Sequence, residues 1–281
     1  MAEVDLHLHT TISDGRLTPQ QLVHLVARRG LRVVAVSDHD ITDGLEAAWD
    51  AAEEYPQLTI LPGVELSTDI PGNEIHVLGY CINYRAADFQ AALKRFRDSR
   101  VGRAQGMVER LRDLGMPVDW ERVQQIAGEG AIGRPHIARA MLERGYISRL
   151  SEAFDNYIGR NGVAYVEREK QSPEEAIQLI VKAGGVPVLA HPAHLNNINE
   201  TIDALKTAGL EGMEVFYAEY SHTMVEHLKD IALQNDLLPC GGSDYHANDT
   251  PREPIPGDKG PPLWVADRIM ELALQRGGVL R

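Results

Sequence analysis

The sequence predicts an α/β fold, a parallel sheet with helices packed outside it, closed or open, and three observations predict it. Strand-like runs alternate with amphipathic helical runs at both ends of the chain, the pattern that builds parallel sheets. Asp, Glu and His collect at the ends of those runs, where such folds gather their functional groups. Between them, residues from about 86 to 166 read as helix after helix with no strand, which marks an insertion. The 281 residues suit one barrel-sized domain of about 250 residues with such an insertion.

Residues 2–8 read as the first strand. Thr18-Pro19 supplies an N-cap and a proline at the first helical position, Leu22, Leu25 and Val26 supply a helical stripe, and Gly30 stops the helix. Leu31 to Val36 is a continuous apolar run, as expected of a strand covered on both faces. A second helix is expected from near Thr42 through Glu54, and a short strand over Leu58 to Leu61. From Val64 to Ile82 the chain turns strand-rich around Pro71-Gly72-Asn73. Ser172-Pro173-Glu174-Glu175 is a capping box whose helix ends at Gly184-Gly185. Strands are expected at Val186 to Ala190, Gly212 to Phe216 and Leu237 to Cys240, and a last helix at Trp264 to Gln275. In the insertion, Phe89, Leu93, Phe96, Met107, Leu111 and Leu114 form one stripe of a long helix, interrupted by Arg100 and Arg103. Buried guanidinium groups need an anion opposite, and Asp155 or Glu152 is a structural candidate.

Composition narrows the function classes. The net charge of −13 argues against an extended nucleic-acid surface, which needs many phosphate contacts from Lys and Arg. A small anion, or only the end of a longer one, fits better. No apolar run reaches the length of a membrane span and no basic-then-apolar leader opens the sequence, so a cytoplasmic protein without a membrane partner is expected. Cys81 and Cys240 stand far apart in no ligand spacing and are expected to be structural.

The chemistry starts at Val4-Asp5-Leu6-His7-Leu8-His9. Strand alternation turns His7 and His9 to one side and Leu6 and Leu8 into the opposite packing layer. Two converging imidazoles suit zinc, manganese or iron, and Asp14 in the next loop adds a hard oxygen. An isolated pair of this kind is more often two half-buried polar residues. Here partners recur at later strand ends: His39, Glu65, His76, His191, Asp244 and His246. Nine such groups exceed the needs of one tetrahedral ion. Two or three divalent ions sharing a bridging carboxylate would use them all, an arrangement suited to phosphate-ester hydrolysis.

The HxH start with Ser13-Asp14-Gly15, the SDHD turn at 37–40, GVE at 63–65, IHVLGY at 75–80, the AHP step at 190–192 and GSDYH at 242–246 resemble the polymerase-and-histidinol-phosphatase (PHP) superfamily, motif by motif and in order. Within it, GRPHIA at 133–138, YVEREK at 165–170 and HPAH at 191–194 are similar to the 3′,5′-nucleoside bisphosphate phosphatase group, also known as ribonuclease AM. The resemblance implies a distorted (β/α)7 barrel over residues 1–85 and 167–281, with the helical insertion 86–166 capping the active site. It implies His7, His9, Glu65 and Asp244 around one ion, Glu65, His76 and His191 around a second, and Asp14, His39 and His246 around a third. A relative carries His where this chain has Asp14, and the harder oxygen favours manganese or magnesium over zinc there, with iron a further candidate for the centre. The implied reaction is hydrolysis of the 3′-phosphate of a 3′,5′-bisphosphorylated nucleoside, with 5′ to 3′ trimming of short RNAs at the same site. A histidinol-phosphate-type phosphatase is the alternative enzyme, and a non-catalytic metal-binding module the alternative from another class; that last reading predicts missing ligands, and none is missing.

Further residues carry expectations of their own. Asp244, His194 and Arg134 are the candidate catalytic residues; His194, two residues past Pro192 and so near the metals, is expected as a phosphate contact or proton donor, with a structural role as the competing reading. Arg134 and His136, at a helix N-terminus that favours phosphate, are expected to grip the substrate with Arg100 or Arg103, and Lys170 is a weaker contact that is ordinarily a surface charge. Asp38 and Asp40 are candidates to orient His39, Asp38 equally to cap a turn. His24, His222 and His227 are expected to be structural, and Pro251 to Pro262 either a rim loop or an ordinary surface loop.

Overall fold

The computed structural model describes residues 2–70, 73–128, 130–167, 171–195, 197–248 and 253–281. Seven strands stand side by side in chain order: β1 (Val4–Leu8), β2 (Val33–Val36), β3 (Thr59–Ile70), β4 (Asn73–Tyr80), β5 (Val186–Leu189), β6 (Gly212–Tyr217) and β7 (Leu238–Gly242). All neighbours are parallel except β4, which runs antiparallel to both β3 and β5. The ring closes just past β7, where the Asp244 N–H donates to the His7 carbonyl at 2.9 Å and the His9 N–H to the Tyr245 carbonyl at 3.1 Å. Gly242 makes that approach feasible, since a Cβ there would stand 2.5 Å from the His7 nitrogen.

Helices α1 (Pro19–Arg28) and α2 (Leu45–Ala52) follow β1 and β2. The first is closed by a box in which Thr18 and Gln21 cap each other's backbone. The second is shorter than its sequence spacing predicts, because Asp40 takes a left-handed φ of 55° and Thr42 to Gly44 form a turn instead. The two strands expected at Leu58 to Leu61 and from Val64 are one, β3, which pairs with β2 through Pro62 and with β4 from Gly63 onward.

The insertion comprises α3 (Ala87–Asp113), α4 (Trp120–Ala127), α5 (Arg134–Glu143) and α6 (Leu150–Ala153), with a π turn over Phe154–Ile158. Its long helix serves two cores: Phe89 and Leu93 pack with the barrel helices, whereas Met107 and Leu111 pack with Val123, Ile137, Met141 and Ile158 of the insertion. Leu114, expected on the buried stripe, caps the helix end and is 47% exposed. Then come α7 (Pro173–Lys182), α8 (Ile198–Ala208), α9 (His222–Gln234) and α10 (Leu263–Gln275).

Two register shifts shape the ring. β1 slips against β2 between Asp5 and Leu8, and β6 against β7 between Glu214 and Phe216. Such bulges re-aim side chains at barrel rims. Consequently Leu6 and Leu8 do not share a layer as simple alternation predicts. Leu6 packs with Val4, Ala35, Leu78 and Val188, while Leu8 packs under the helices with Val36 and Val64.

Candidate metal centre

The ring brings all nine sequence-predicted ligands to one end. His7 and His9 leave the end of β1, Asp14 sits on the loop after it, His39 follows β2, and Glu65 lies within β3 beside His39. His76 comes from the N-terminal half of β4, which the antiparallel direction turns to the same end, and His191, Asp244 and His246 follow β5 and β7. His191 and Asp244 hold left-handed φ angles of 28° and 53°. Such angles cost non-glycine residues energy, and they persist where the surroundings over-determine them.

Glu65, 1% exposed, is the centre of the cluster. Its Oε2 lies 3.3 Å from His7 Nε2, 3.2 Å from His9 Nε2 and 3.0 Å from His39 Nδ1. Its Oε1 lies 2.7 Å from His76 Nδ1 and 3.3 Å from His191 Nε2. Asp244 Oδ1 stands 3.2 and 3.1 Å from His7 Nε2 and His9 Nε2. Asp14 stands 3.2 Å from His246 Nε2 and 3.8 Å from His39 Nε2. The donors fall into three overlapping groups: His7, His9, Glu65 and Asp244; His39, Glu65 and His76; and His9, Asp14, His39 and His246. His39 thus faces Glu65 as well as the third group, and His9 belongs to two.

This donor set fits divalent cations. His7 Nε2, His9 Nε2, His39 Nδ1 and Glu65 Oε2 are buried without a hydrogen bond among the described residues, although the three nitrogens converge on that oxygen at 3.0 to 3.3 Å; His9 Nδ1, likewise buried, faces Asp14 at 3.9 Å. Buried lone pairs aimed at a common point are costly unless a cation takes them. The electrostatics agree. Burial opposes ionisation of Glu65, Asp14 and Asp244, yet the surrounding imidazoles hold all three carboxyls below their ordinary range. Against burial, Asp244, Glu214 and Glu65 push His7 well above its usual value, and Asp14 and Asp244 push His246 to about 10. Burial drives His39 down to about 3. The carboxylates retain their charge and neighbouring histidines answer it with protons, which metal ions would displace.

Several supporting groups were not singled out in the sequence. Glu214, on β6 and fully buried, accepts from His7 Nδ1 at 3.0 Å and from the His191 N–H at 2.7 Å. The Tyr217 hydroxyl donates to Asp244 Oδ2 at 2.8 Å. Asp5, whose carboxyl burial raises to about 6, accepts from the Ser243 and Gly257 N–H groups and so ties β1 to the segment carrying Asp244. The available signal was a carboxylate inside an otherwise apolar strand, as in Gly-Met-Glu-Val-Phe-Tyr and Val-Asp-Leu.

The remaining expectations divide. Asp38 bonds the Thr10 N–H, the Thr10 hydroxyl and Ser13, fastening the loop that leads to Asp14, which is the turn-capping role. Asp40 accepts from the Ser67 N–H at 3.2 Å and from Arg100 Nε at 2.5 Å. The carboxylate opposite Arg100 is therefore Asp40 of the barrel; Glu152 instead accepts from Ser148, and Asp155 is exposed. Arg103 is 6% exposed one turn further along α3. His136 is buried, its Nδ1 accepts from the Gly133 N–H at 2.9 Å, and burial lowers its pKa, so it is neutral with the proton on Nε2. Arg134 stacks over the Phe154 ring. The His194 side chain and Lys170 lie outside the described residues. His24 bonds the Tyr55 hydroxyl, and His222 and His227 are exposed on α9. Of the Pro251 to Pro262 segment, Glu253 accepts from the His246 and Asn248 N–H groups, whereas Gly257 and Gly260 lie against Ala2 and Val4 beside the start of β1. Both cysteines are buried thiols.

Known proteins resemble this chain over most of its length. The PHP domain model matches residues 5–182. The chain is 34% identical to a 5′-3′ exoribonuclease of Escherichia coli, covering 93% of this chain and 89% of that one. It is 33% identical to a 3′,5′-nucleoside bisphosphate phosphatase of Chromobacterium violaceum, with 88% of each covered. The crystal structure of a protein from Bifidobacterium adolescentis described as a metal-dependent phosphoesterase superposes with a TM-score of 0.87 at 32% identity, covering 96% of both chains.

Proposed function

Because the chain belongs to the PHP domain family, we propose that it is a metal-dependent phosphoesterase that releases the 3′-phosphate of 3′,5′-bisphosphorylated nucleosides and, with the same site, trims short RNAs from the 5′ end. The observation that carries this reading is Glu65, whose two oxygens face five imidazole nitrogens at 2.7 to 3.3 Å, the arrangement of a carboxylate bridging cations. The names of the relatives support the substrate class.

On this reading His7, His9, Glu65 and Asp244 would hold one ion, Glu65, His76 and His191 a second, and Asp14, His39 and His246 a third; the convergence of the first and third sets and the 3.3 Å approach of His191 to Glu65 support it. Manganese is the proposed metal, on the mixed imidazole and carboxylate donors. Bound ions of this kind supply Lewis-acid activation and neutralise charge developing on phosphoryl oxygens. The chain's own part is placement. Tyr217 and Glu214 fix Asp244 and His7, and the neutral His136 offers an Nε2–H donor at the start of α5. Arg134, Arg103 and Lys170 are proposed to hold the 5′-phosphate with it, and His194 to deliver a proton to the leaving 3′-oxygen. The partner is a nucleotide or the end of an RNA, in keeping with the net charge of −13, and the buried thiols suit the cytoplasm. Among the described residues no helix is long and apolar enough to cross a membrane. Phosphate release from adenosine 3′,5′-bisphosphate, histidinol phosphate and short 5′-phosphorylated RNAs tests the reading. Turnover of histidinol phosphate in preference to the bisphosphate would reject it.

A further inference from the structure

The three ligand groups are anchored differently. His7, His191 and Asp244 are fastened from inside the barrel, by Glu214 and Tyr217 of β6. The group of Asp14, His39 and His246 is approached from the insertion. Arg139 of α5 donates from Nη2 both to the Asp14 carbonyl at 3.0 Å and to Asn248 Oδ1 at 3.0 Å, so one guanidinium joins the loop of Asp14 to the segment two residues past His246. From α3, Arg100 Nε meets Asp40 Oδ2 at 2.5 Å and Arg97 Nη1 donates to the Asp40 carbonyl at 3.0 Å, gripping the residue after His39. The Ala131 N–H adds a bond to the Ile12 carbonyl at 2.9 Å. Asp38 restrains the first part of the Asp14 loop from the barrel side, but the Asp14 carbonyl itself is held by Arg139.

Arg100 and Asp40 are both buried, and a buried ion pair is tolerated when each partner's remaining polar atoms are engaged, as Asp40 Oδ1 is by the Ser67 N–H. Its geometry therefore fixes the strand–loop junction at His39 rather than floating on a surface. Arg139 and Arg100 reach the ligands only through backbone and neighbouring side chains, which makes them positioning residues.

We propose that the inserted helices set the affinity of the metal site formed by Asp14, His39 and His246, through Arg139 on the side of Asp14 and His246 and through Arg100 on the side of His39, while His7, His191 and Asp244 are held from the barrel and His39, which also faces Glu65, links the two. Docking of the insertion and filling of the third site are then one coupled event, and a substrate that engages the insertion tightens the third ion by the same factor that the ion tightens the substrate. This rests on the three-ion reading given above.

The test is metal titration of the full-length protein, stripped by chelator and refilled with Mn2+ against a competing chelator. Wild-type protein is expected to take up three equivalents. Arg139→Met is expected to weaken the last equivalent by about tenfold to a hundredfold, the usual effect of removing an outer support, and to leave the first two unchanged, whereas Arg100→Met, which acts through His39, is expected to weaken the last equivalent over the same range and the Glu65 site to a smaller degree. Arg139→Lys, which retains a donor for the Asp14 carbonyl, should recover part of the loss. Asn248→Ala removes a partner of Arg139 outside the core, retains the fold, and carries the same expectation in weaker form. If Arg139→Met and Asn248→Ala bind all three equivalents as the wild type does, or lose all three together, the proposal is overturned. A wild-type protein that binds only two equivalents overturns the three-ion reading, and this inference with it.

Discussion

Replacing Glu214 by glutamine preserves the side chain's volume and changes one oxygen to an NH2 group. The carboxylate accepts twice, from the His191 N–H at 2.7 Å and from His7 Nδ1 at 3.0 Å. A backbone N–H cannot become an acceptor, so the amide oxygen must face His191 and the NH2 must face His7. His7 then has to present a lone pair at Nδ1, which moves its proton to Nε2, the nitrogen aimed at Glu65 and Asp244 at 3.3 and 3.2 Å. A ligand becomes a donor. One lost charge-assisted bond is worth about 1.5–3 kcal/mol, and at about 1.4 kcal/mol per factor of ten this is roughly tenfold to a hundredfold in metal affinity. Chelator competition for Mn2+ reads it directly, with a melting curve of the stripped protein to confirm the fold. Wild-type affinity in a folded Glu214→Gln protein would refute the reasoning that Glu214 sets the His7 tautomer.

Glu65→Gln is expected to abolish turnover and lower metal content while the protein still folds, because a neutral amide bridges cations poorly; metal analysis beside phosphate release checks this, and full occupancy with normal turnover would reject the bridge. Arg134→Ala should leave metal content intact and cost about 1.5–3 kcal/mol of preference for the bisphosphate over a nucleoside 3′-monophosphate, measured as the ratio of kcat/KM values; equal losses on both substrates would remove Arg134 from a 5′-phosphate pocket. Since carboxylates raise His7 and hold His246 at about 10 in the metal-free chain, filling the centre at pH 7 should release protons, detectable by calorimetry in buffers of different ionisation heat, and absence of release would contradict the pairing. For the same reason the stripped protein should lose stability as pH rises: the contribution of His246 is full below its ordinary 6.5 and disappears towards about 10, so a melting temperature flat over that window would count against it.

The convergence of the nine candidate ligands was legible in the sequence because most sit at or just past the end of a strand, and strand ends of an α/β ring converge whatever the details between them; Glu65 and His76 lie inside the longer strands β3 and β4. His7 and His9 illustrate the limits of that argument. Their convergence was readable from alternation, but the bulge that separates the layers of Leu6 and Leu8 was not, since a register shift depends on the partner strand. Glu214 was missed for a related reason: one carboxylate in an apolar strand shows that something buried needs a charge, and only the fold shows that His7 and His191 are what it serves. The arginines of α3 announced themselves by interrupting an apolar stripe, which requires an anion, yet the choice of Asp40 over Glu152 or Asp155 is a matter of tertiary placement. Helix α8 carries a start signal that the sequence reading did not use, Asn197 at its N-cap with Glu200 in the first turn.

The central claim is that this cluster is a metal centre for removing a 3′-phosphate, and release of inorganic phosphate from adenosine 3′,5′-bisphosphate tests it most directly. Stripped protein should be inactive, Mn2+ should restore release in step with metal occupancy, and the organic product should be AMP bearing its phosphate at the 5′ position. Release unaffected by chelation, or a product that retains the 3′-phosphate, would contradict the account.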